Sequence, residues 1–399
     1  MNKEFIALFL LLFLLAGVCA GQSLAEFNKL PQPDSLTNRD FEAIAPFFGN
    51  KRVVMVGEAS HGGSEFFTVK TALLKYLVEE RDFRHFVLEE NLAVCEKFNA
   101  FIVGDLQTDS KSLAKEAYYT WPYHTEEFSR LLEWMKDYNA TKTSDKKIKF
   151  WGIDIQFAYQ SLQFLTEKLN KITSTSKFTI SEVPRQEHYT HRVDDSMLAH
   201  IKTMVNKLES NHPDKANLQR HLEAVEMKNI YSSKQREGLY PTEASSRYRD
   251  SCMAANVVRI YDSVGSRDKL MVWAHNAHVV KSFNTTYYKA PMGAFLKELI
   301  PKEVKIIGFD FSQGELLMHV PNQGFKPVSI KPRDDHHLAR LLDKERYELM
   351  FIANSERNKP LFSRPLFMRN NHVLVEGTYG ELYDALFFVN RVGATTPLK

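Results

Sequence analysis

Polar residues that can carry acid–base chemistry follow several short apolar runs in this sequence. Glu58 and His61 follow the first run, Glu89 follows the second, and His275 and His278 follow a later one. A neutral imidazole can accept a proton from water near neutral pH, and a carboxylate on its other ring nitrogen fixes the tautomer. A second histidine can donate a hydrogen bond to a carbonyl oxygen as negative charge develops there. We therefore predict a hydrolytic site whose catalytic residues are Glu58, His61, Glu89, His275 and His278.

The sequence favours an activated water over a serine nucleophile. No segment of the sequence resembles the Gly-x-Ser-x-Gly turn that exposes a nucleophilic serine, and Ser60 and Ser64 flank His61 without that context. The glycines at positions 57, 62 and 63 are expected to let the backbone approach a substrate closely.

A metal-dependent mechanism is the main chemical alternative. His275 and His278 are three residues apart and can face the same way on a helical turn. Together with the other three catalytic candidates they could bind zinc or iron. The segment His-Asn-Ala-His lacks the His-Glu-x-x-His arrangement of common zinc hydrolases. We therefore expect a metal-free site without a cofactor, and keep a metal-dependent hydrolase as the alternative.

The elements that must position these residues alternate between strands and helices. Short apolar runs typical of buried strands occupy residues 52–56, 85–88, 148–153, 270–274, 305–309, 349–353 and 385–389. Apolar residues recur at helical spacing in residues 65–80 and 128–138, which predicts a helix in each range. This alternation predicts an α/β fold with a largely parallel sheet flanked by helices. Ligands bind beyond the carboxyl ends of such strands, so we expect the polar residues, including Asp154 after the third run, to converge at one edge.

Residues 155–265 interrupt this alternation. They are largely polar, and their apolar residues recur at helical spacing. The stretch is too long for a single crossover connection between two strands. We predict that it is a helical insertion capping the carboxyl ends of the strands, while 46–154 and 266–395 form the α/β catalytic core. Within the insertion, 198–227 holds one long helix or two shorter ones.

The composition limits the classes of protein that this chain can belong to. With 399 residues and 44% apolar residues, it can bury a large core without needing several domains. A formal net charge of only +3 gives no basic surface for nucleic acid, so we expect a small-molecule partner. Cys95 and Cys252 lie in helical patterns and are expected to be buried thiols. The sequence does not indicate an oligomeric state.

Residues 1–20 are typical of a signal peptide. Lys3 precedes an apolar run that ends at Val18, with small residues around Cys19 before a cleavage point. The run is shorter than the roughly 20 residues of a membrane span. We predict an exported protein, periplasmic or secreted, with an N-terminal lead over 21–45 and no stable membrane insertion after cleavage. Lipoprotein anchoring through Cys19 is disfavoured because Val18 stands where Gly or Ala is expected, and an uncleaved anchor stays an alternative.

Several segments taken together resemble the erythromycin esterase family. The resemblance is carried by Gly57-Glu58-Ala59-Ser60-His61-Gly62, Phe86-Val87-Leu88-Glu89, Trp121 with Trp134-Met135, Gly152-Ile153-Asp154, Arg249-Asp250, Trp273-Ala274-His275-Asn276-Ala277-His278-Val279 and Tyr383-Asp384-Ala385-Leu386-Phe387. The first segment resembles the family's opening signature with Ser in place of Thr, and the histidine segment is similar to its most specific motif. The resemblance extends from about residue 50 to residue 390.

This resemblance implies a hydrolase that acts on a small-molecule carboxylic ester. Characterised members hydrolyse the lactone ester of macrolide antibiotics, and the signature histidine, here His61, is their proposed base. Among the matched positions, Asp154, Arg249 and Trp121 are candidates for substrate binding. The alternative from another class is a ligand- or haem-binding protein on the same scaffold, because the family is distantly similar to haem-uptake proteins.

Overall fold

A mixed sheet of nine strands forms the centre of the protein, and two further strands form a separate hairpin. The computed structural model describes residues 26–117, 121–172, 178–180, 192–235, 242–283, 289–335, 338–340 and 347–399, so the predicted signal peptide lies outside the described residues. The strands are β1 (Asn28–Leu30), β2 (Val53–Val56), β3 (Phe83–Asn91), β4 (Lys149–Asp154), β5 (Lys269–Trp273), β6 (Val304–Val320), β7 (Gly324–Ile330), β8 (Leu349–Ala353), β9 (Pro365–Asn370), β10 (Val373–Thr378) and β11 (Ala385–Val392).

The strand order places the predicted site residues at one edge of the sheet. The order is β1-β8-β11-β6-β2-β5-β3-β4, with β7 paired to β6. All pairings from β11 to β4 are parallel, whereas β1, β8 and β7 pair antiparallel. The four strands that end at or just before the predicted site residues on the sheet, β2, β5, β3 and β4, are neighbours, so their carboxyl ends lie side by side. The prediction of a largely parallel α/β sheet is confirmed.

The central strands are buried on both faces of the sheet. In β2, Val54 and Val56 pack into the hydrophobic cluster on one face, and Val53 and Met55 pack into the cluster on the other. A strand covered on both faces has no polar alternation, which is why its sequence reads as one apolar run. After β2, the first polar side chain is therefore Glu58, just beyond the carboxyl end of the strand.

Helices cover both faces. Within the described residues they are α1 (Asn38–Phe41), α2 (Ala45–Phe48), α3 (Ser64–Arg81), α4 (Leu92–Val103), α5 (Ser110–Ala114), α6 (Glu126–Ala140), α7 (Tyr159–Ile172), α8 (Asp195–Lys207), α9 (Lys215–Ser233), α10 (Glu243–Ser263), α11 (Asn276–Val279), α12 (Met292–Leu299), α13 (Lys359–Phe362) and α14 (Tyr379–Leu382), with short 3₁₀ helices at Pro33–Ser35, Glu42–Ile44 and Trp121–Tyr123. The helices predicted at 65–80 and 128–138 are α3 and α6. The stretch 198–227 holds two helices, α8 and α9.

The four helices α7 to α10 fall within the predicted insertion and do not share one core. Helices α7, α8 and α9 pack around a small hydrophobic cluster of their own. Helix α10 instead places Met253 and Val257 in the same cluster as Met55 of the central strand β2. Helix α10 therefore belongs to the packing of the sheet, although it lies inside the stretch 155–265.

Four strands have no counterpart in the sequence predictions. Strand β1 lies in the predicted N-terminal lead and pairs antiparallel with β8. Strand β7 extends β6 as a hairpin, and β9 pairs with β10. Strands β1, β7 and β10 mix polar and apolar residues and are partly exposed, so their sequence signal is weak. Cys95 and Cys252 are buried free thiols, as predicted. In the described ranges, the helices are all too short or too polar to span a bilayer.

Candidate active site

Three side chains surround the Glu58 carboxylate at the centre of the site. Glu58 follows β2 and is fully buried. Its Oε1 lies 2.5 Å from Nδ1 of His61. Its Oε2 accepts hydrogen bonds from Nζ of Lys70 at 2.6 Å and from Nε1 of Trp273 at 3.1 Å. The segment after β2 thus carries the carboxylate, and α3 and β5 each supply one donor to it.

The partners of Glu58 keep it ionised. Burial alone would raise the pKa of Glu58, but the charges and hydrogen bonds of Lys70 and His61 outweigh it and lower that pKa to about 2. Burial lowers the pKa of Lys70 to about 8 despite the neighbouring Glu58. Both groups are charged at neutral pH, and the ammonium also lies 3.9 Å from the centroid of the Trp273 ring.

His61 is held by this carboxylate through one ring nitrogen. Its Nδ1 donates to Glu58, so the neutral ring has its basic lone pair on Nε2. The His61 side chain is 27% exposed, in contrast to Glu58 and Lys70, which are fully buried. A ring that is held on one nitrogen and reaches solvent has the arrangement expected of a general base.

His275 is held as a neutral hydrogen-bond donor. It follows β5, and its Nδ1 accepts a hydrogen bond from the backbone N–H of Ala277 at 3.1 Å. Nε2 therefore carries the ring proton, and it is buried without an acceptor among the described residues. Burial and the neighbouring His61 lower the pKa of His275 to about 3. The two histidine rings lie with their centroids 4.8 Å apart.

Arg249 of α10 joins two carboxylates at neighbouring strand ends. Its Nε and Nη2 donate to the two oxygens of Asp154 at 2.8 and 2.7 Å, and Nη2 also donates to Oε1 of Glu89 at 2.8 Å. Burial opposes the charge of Arg249, but Asp154 and Glu89 outweigh burial and raise its pKa well above the usual range. The described contacts of Asp154 and Arg249, both predicted to bind substrate, are thus largely with each other and with Glu89.

His278 differs from His275 in its protonation. Its Nδ1 lies 2.8 Å from Oδ1 of Asp250, and its Nε2 lies 3.1 Å from Oε1 of Glu89. Burial would lower the pKa of His278, but these two carboxylates outweigh it and raise the pKa to about 10. The protonated ring donates to both carboxylates, and the Arg249 guanidinium beside it is a second cation sharing Glu89. His278 therefore differs from the expected donor to a substrate carbonyl, because both of its nitrogens are engaged.

Glu89 connects His275 to the pair of cations formed by Arg249 and His278. Burial would raise its pKa, but His278 and Arg249 outweigh burial and hold the pKa of Glu89 well below its usual range. Its Oε2 accepts the backbone N–H of His275 at 2.8 Å. The structure thus brings together seven of the eight predicted residues, Glu58, His61, Glu89, Asp154, Arg249, His275 and His278. The side chain of Trp121 lies outside the described part of the structure.

The loop that carries Glu58 and His61 is fixed by close backbone contacts. A Cβ at Gly57 would lie 2.2 Å from Oδ1 of Asn276, and a Cβ at Gly62 would lie 2.1 Å from the carbonyl oxygen of Leu317. The carbonyl of Gly62 accepts the backbone N–H groups of Leu317 and Thr395, each at 3.0 Å. Both glycines therefore allow close packing of this loop against protein, and the approach of the glycines at 57, 62 and 63 to a substrate stays a prediction.

The sequence prediction missed three partners of the site, Lys70, Trp273 and Asp250. Lys70 stands four residues after Phe66 and three before Leu73, on the buried side of α3. The spacing of Lys70 from its apolar neighbours could have indicated that it lies on the buried side of the helix. A buried ammonium group requires a charged or polar partner, so this position pointed to the site. Across the described residues, no group of three or more His, Cys, Asp or Glu side chains is arranged to hold a metal ion.

The ion pair between Glu58 and Lys70 predicts a pH-dependent stability effect. Replacing Lys70 by Met leaves a buried carboxylate without its cation and should cost about 3–5 kcal/mol at neutral pH. Because Lys70 and His61 together lower the pKa of Glu58 from 4.5 to about 2, the wild type loses the stability of the ion pair as the pH falls from about 4.5 towards 2, and the difference from the variant should shrink over that range. Urea unfolding of wild type, Lys70→Met and Lys70→Arg between pH 7 and about pH 3 measures it. A loss that is independent of pH would contradict the ion pair, and Lys70→Arg should retain most of the stability.

Comparison with known proteins relates this fold to one family. The family model described as Erythromycin esterase matches residues 78–392. Over 326 residues the chain is 24% identical to an erythromycin esterase type II of Escherichia coli, covering 72% of this chain and 75% of that protein.

Two solved structures share the fold. A succinoglycan biosynthesis protein superposes with a TM-score of 0.73 at 21% identity, covering 94% of this chain and 97% of that chain. A mutant of erythromycin esterase EreC in its open conformation superposes with a TM-score of 0.65 at 20% identity, covering 94% and 100%. Because the family model spans most of the sequence, this chain belongs to the erythromycin esterase family of ester-hydrolysing enzymes.

Proposed function

We propose that this protein hydrolyses a carboxylic ester with a water molecule activated by His61. The observation that carries the proposal is the placement of two differently held imidazoles side by side. His61 is bound on Nδ1 by the ionised Glu58, while His275 presents a buried Nε2–H that has no acceptor in the described part of the chain. One ring can take a proton and the other can donate a hydrogen bond, which is the pair of functions that ester hydrolysis requires.

The proposed reaction has two steps. In the first, Nε2 of His61 removes a proton from water as the water oxygen attacks the ester carbonyl, and the Nε2–H of His275 donates to the oxygen on which negative charge develops. In the second, the bond from the carbonyl carbon to the alkoxy oxygen breaks, and His61 returns the proton to the leaving alkoxide. The products are a carboxylic acid and an alcohol. Glu58 keeps its charge throughout and stabilises the imidazolium that forms on His61.

Glu89, Arg249 and His278 support this chemistry without donating to the substrate. Glu89 holds the backbone N–H of His275, while Arg249 and His278 hold Glu89 in turn. We propose that these residues position His275 and the strand ends. The substrate class that we propose is a carboxylic ester, and erythromycin, which the names of the related esterases print, is the first substrate to assay.

Replacing His61 by Ala tests the base. We expect turnover of 4-nitrophenyl acetate, and of erythromycin if it is a substrate, to fall about 10²- to 10⁴-fold, because the general base is lost. His319→Ala is the matched control, since His319 is exposed near the turn of the β6–β7 hairpin and takes part in none of the site contacts described above, so turnover should be unchanged. A parallel assay with a chelator should leave wild-type activity intact.

Two results would count against this mechanism. Near wild-type turnover of His61→Ala would remove His61 from the reaction. Loss of activity with the chelator and its return with added zinc would replace the metal-free mechanism by the metal-dependent alternative.

Replacing His275 by Ala tests the hydrogen-bond donor. We expect kcat to fall about 10²- to 10³-fold with little change in KM, because the hydrogen bond strengthens only as charge develops on the carbonyl oxygen. Because the pKa of His275 is about 3, the ring is neutral throughout the range near neutral pH, and the variant should keep the shape of the wild-type pH–rate profile. A larger KM with unchanged kcat would assign His275 to ground-state binding instead.

We further propose that the protein is exported and that the mature chain begins near Gly21. The proposal rests on the apolar run ending at Val18 and on the small residues that follow it. N-terminal sequencing of the secreted or periplasmic fraction should find the new terminus within a few residues of Gly21. A full-length chain recovered from the cytoplasm would contradict export, and a full-length chain in the membrane would support the uncleaved anchor.

A further inference from the structure

The last residues of the chain run between the loop that carries His61 and the start of helix α6. We call residues 393–398 the C-terminal strap. One antiparallel bridge joins the strap to Gly63, and another joins it to Thr125. The strap follows β11 directly, so the interior of the sheet fixes one of its ends.

On one side, the strap holds the segment that comes directly after His61. Three backbone N–H groups form hydrogen bonds between the strap and residues 62–65. The pairs are Thr395 to the carbonyl of Gly62 at 3.0 Å, Ser64 to the carbonyl of Gly393 at 2.8 Å and Gly393 to Oε2 of Glu65 at 2.6 Å. Helix α3 begins at Ser64. The strap therefore fixes the turn between His61 and α3.

On its other side, the strap holds the segment that reaches Glu89. Two backbone hydrogen bonds of 2.9 Å join them, from Leu398 to the carbonyl of His124 and from Glu126 to the carbonyl of Thr396. Tyr123, at the start of this segment, donates its hydroxyl to the backbone carbonyl of Glu89 at 3.3 Å. Because Glu89 accepts the backbone N–H of His275, the strap connects the surroundings of both imidazoles.

The Glu127 carboxylate joins the strap to the first turn of α3. Its Oε1 accepts the hydroxyl of Ser64 at 3.0 Å, and its two oxygens accept the backbone N–H of Thr396 at 3.2 and 3.1 Å. Glu127 is 7% exposed, and in the described part of the chain its carboxylate takes part in no ion pair. Burial of a carboxylate without a counter-ion is costly, so the donors that it holds explain its place here.

We propose that Glu127 is a positioning residue, which holds the C-terminal strap against the His61 loop and so keeps Nε2 of His61 aligned with the Nε2–H of His275. This inference rests on the hydrolysis proposed above. That reaction requires both rings to reach one carbonyl group, and a displacement of about 1 Å can cost about 10²-fold in rate. Glu58 fixes only the Nδ1 side of the His61 ring, whereas the strap fixes the backbone beside it.

Hydrolysis of 4-nitrophenyl acetate by two variants of Glu127 tests the proposal. Glu127→Ala should lower kcat about tenfold or more and leave KM within about twofold, because the base is displaced while the substrate contacts remain. Glu127→Gln should restore most of kcat, since one amide oxygen can accept from both Ser64 and Thr396, as Oε1 does. Glu133→Ala is the matched control and should keep wild-type turnover, because Glu133 on the same helix accepts the hydroxyl of Ser110 instead.

Ser64→Ala keeps the test decisive if Glu127→Ala does not fold, which circular dichroism shows. Ser64→Ala removes one of the two donors to Glu127 and should also lower kcat with little change in KM. The double variant should be no slower than Glu127→Ala, because both changes break the same hydrogen bond. Losses that multiply in the double variant would overturn the proposed link through this bond.

NMR of the histidine rings in the full-length chain tests the position of His61 without hydrolysis. The Cε1–H signal of His61 is assigned by its loss in His61→Ala, and it should shift in Glu127→Ala and return in Glu127→Gln. An unshifted signal with wild-type kcat in Glu127→Ala would overturn the proposal, and equal losses in both variants would overturn the role of Glu127 as a hydrogen-bond acceptor. A wild type without esterase activity would refute the proposed function, and the NMR signal would then decide the positioning alone.

Discussion

Burial of the Glu58 carboxylate is the constraint on which the rest of the site depends. An isolated carboxylate in a core of this kind is too costly to remain ionised, so the fold must bring a cation and further donors to it. Lys70 comes from α3 and Trp273 from β5, and each reaches the same oxygen of Glu58. The other oxygen is then left for His61. The positions of a helix and of two neighbouring strands are thereby coupled to the orientation of one imidazole.

The same edge of the sheet holds two histidines in opposite protonation states. Burial and the neighbouring His61 favour the neutral form of His275, whereas the two carboxylates beside His278 outweigh burial and favour its charged form. The two residues are three positions apart, so the difference arises from what other elements place around each ring. Asp250 of α10 and Glu89 of β3 lie on either side of the His278 ring, whereas Glu89 contacts His275 through the backbone N–H of that residue.

Much of this arrangement could be predicted from the sequence, because buried parallel strands leave a distinct pattern. Apolar runs followed at once by Glu58, Glu89, Asp154 or His275 mark the strand ends and hence the edge at which they meet. The protonation of His278 could not be predicted, since it depends on a contact with Asp250 across 28 residues of chain. The role of Lys70 was missed because most lysines on helices are solvated. The strands outside the parallel core were missed because their pairing, more than their composition, stabilises them.

The last residues of the chain complete the loop that carries His61. The backbone N–H of Ser64 donates to the carbonyl of Gly393, and that of Thr395 donates to the carbonyl of Gly62. Strand β11, just before them, inserts between β8 and β6 in the interior of the sheet. A chain still being synthesised therefore carries Glu58, His61, Glu89 and His275 before strand β11 can complete the sheet. The His61 loop thus reaches its final geometry only through contacts between segments more than 300 residues apart in the sequence, a separation that slows folding.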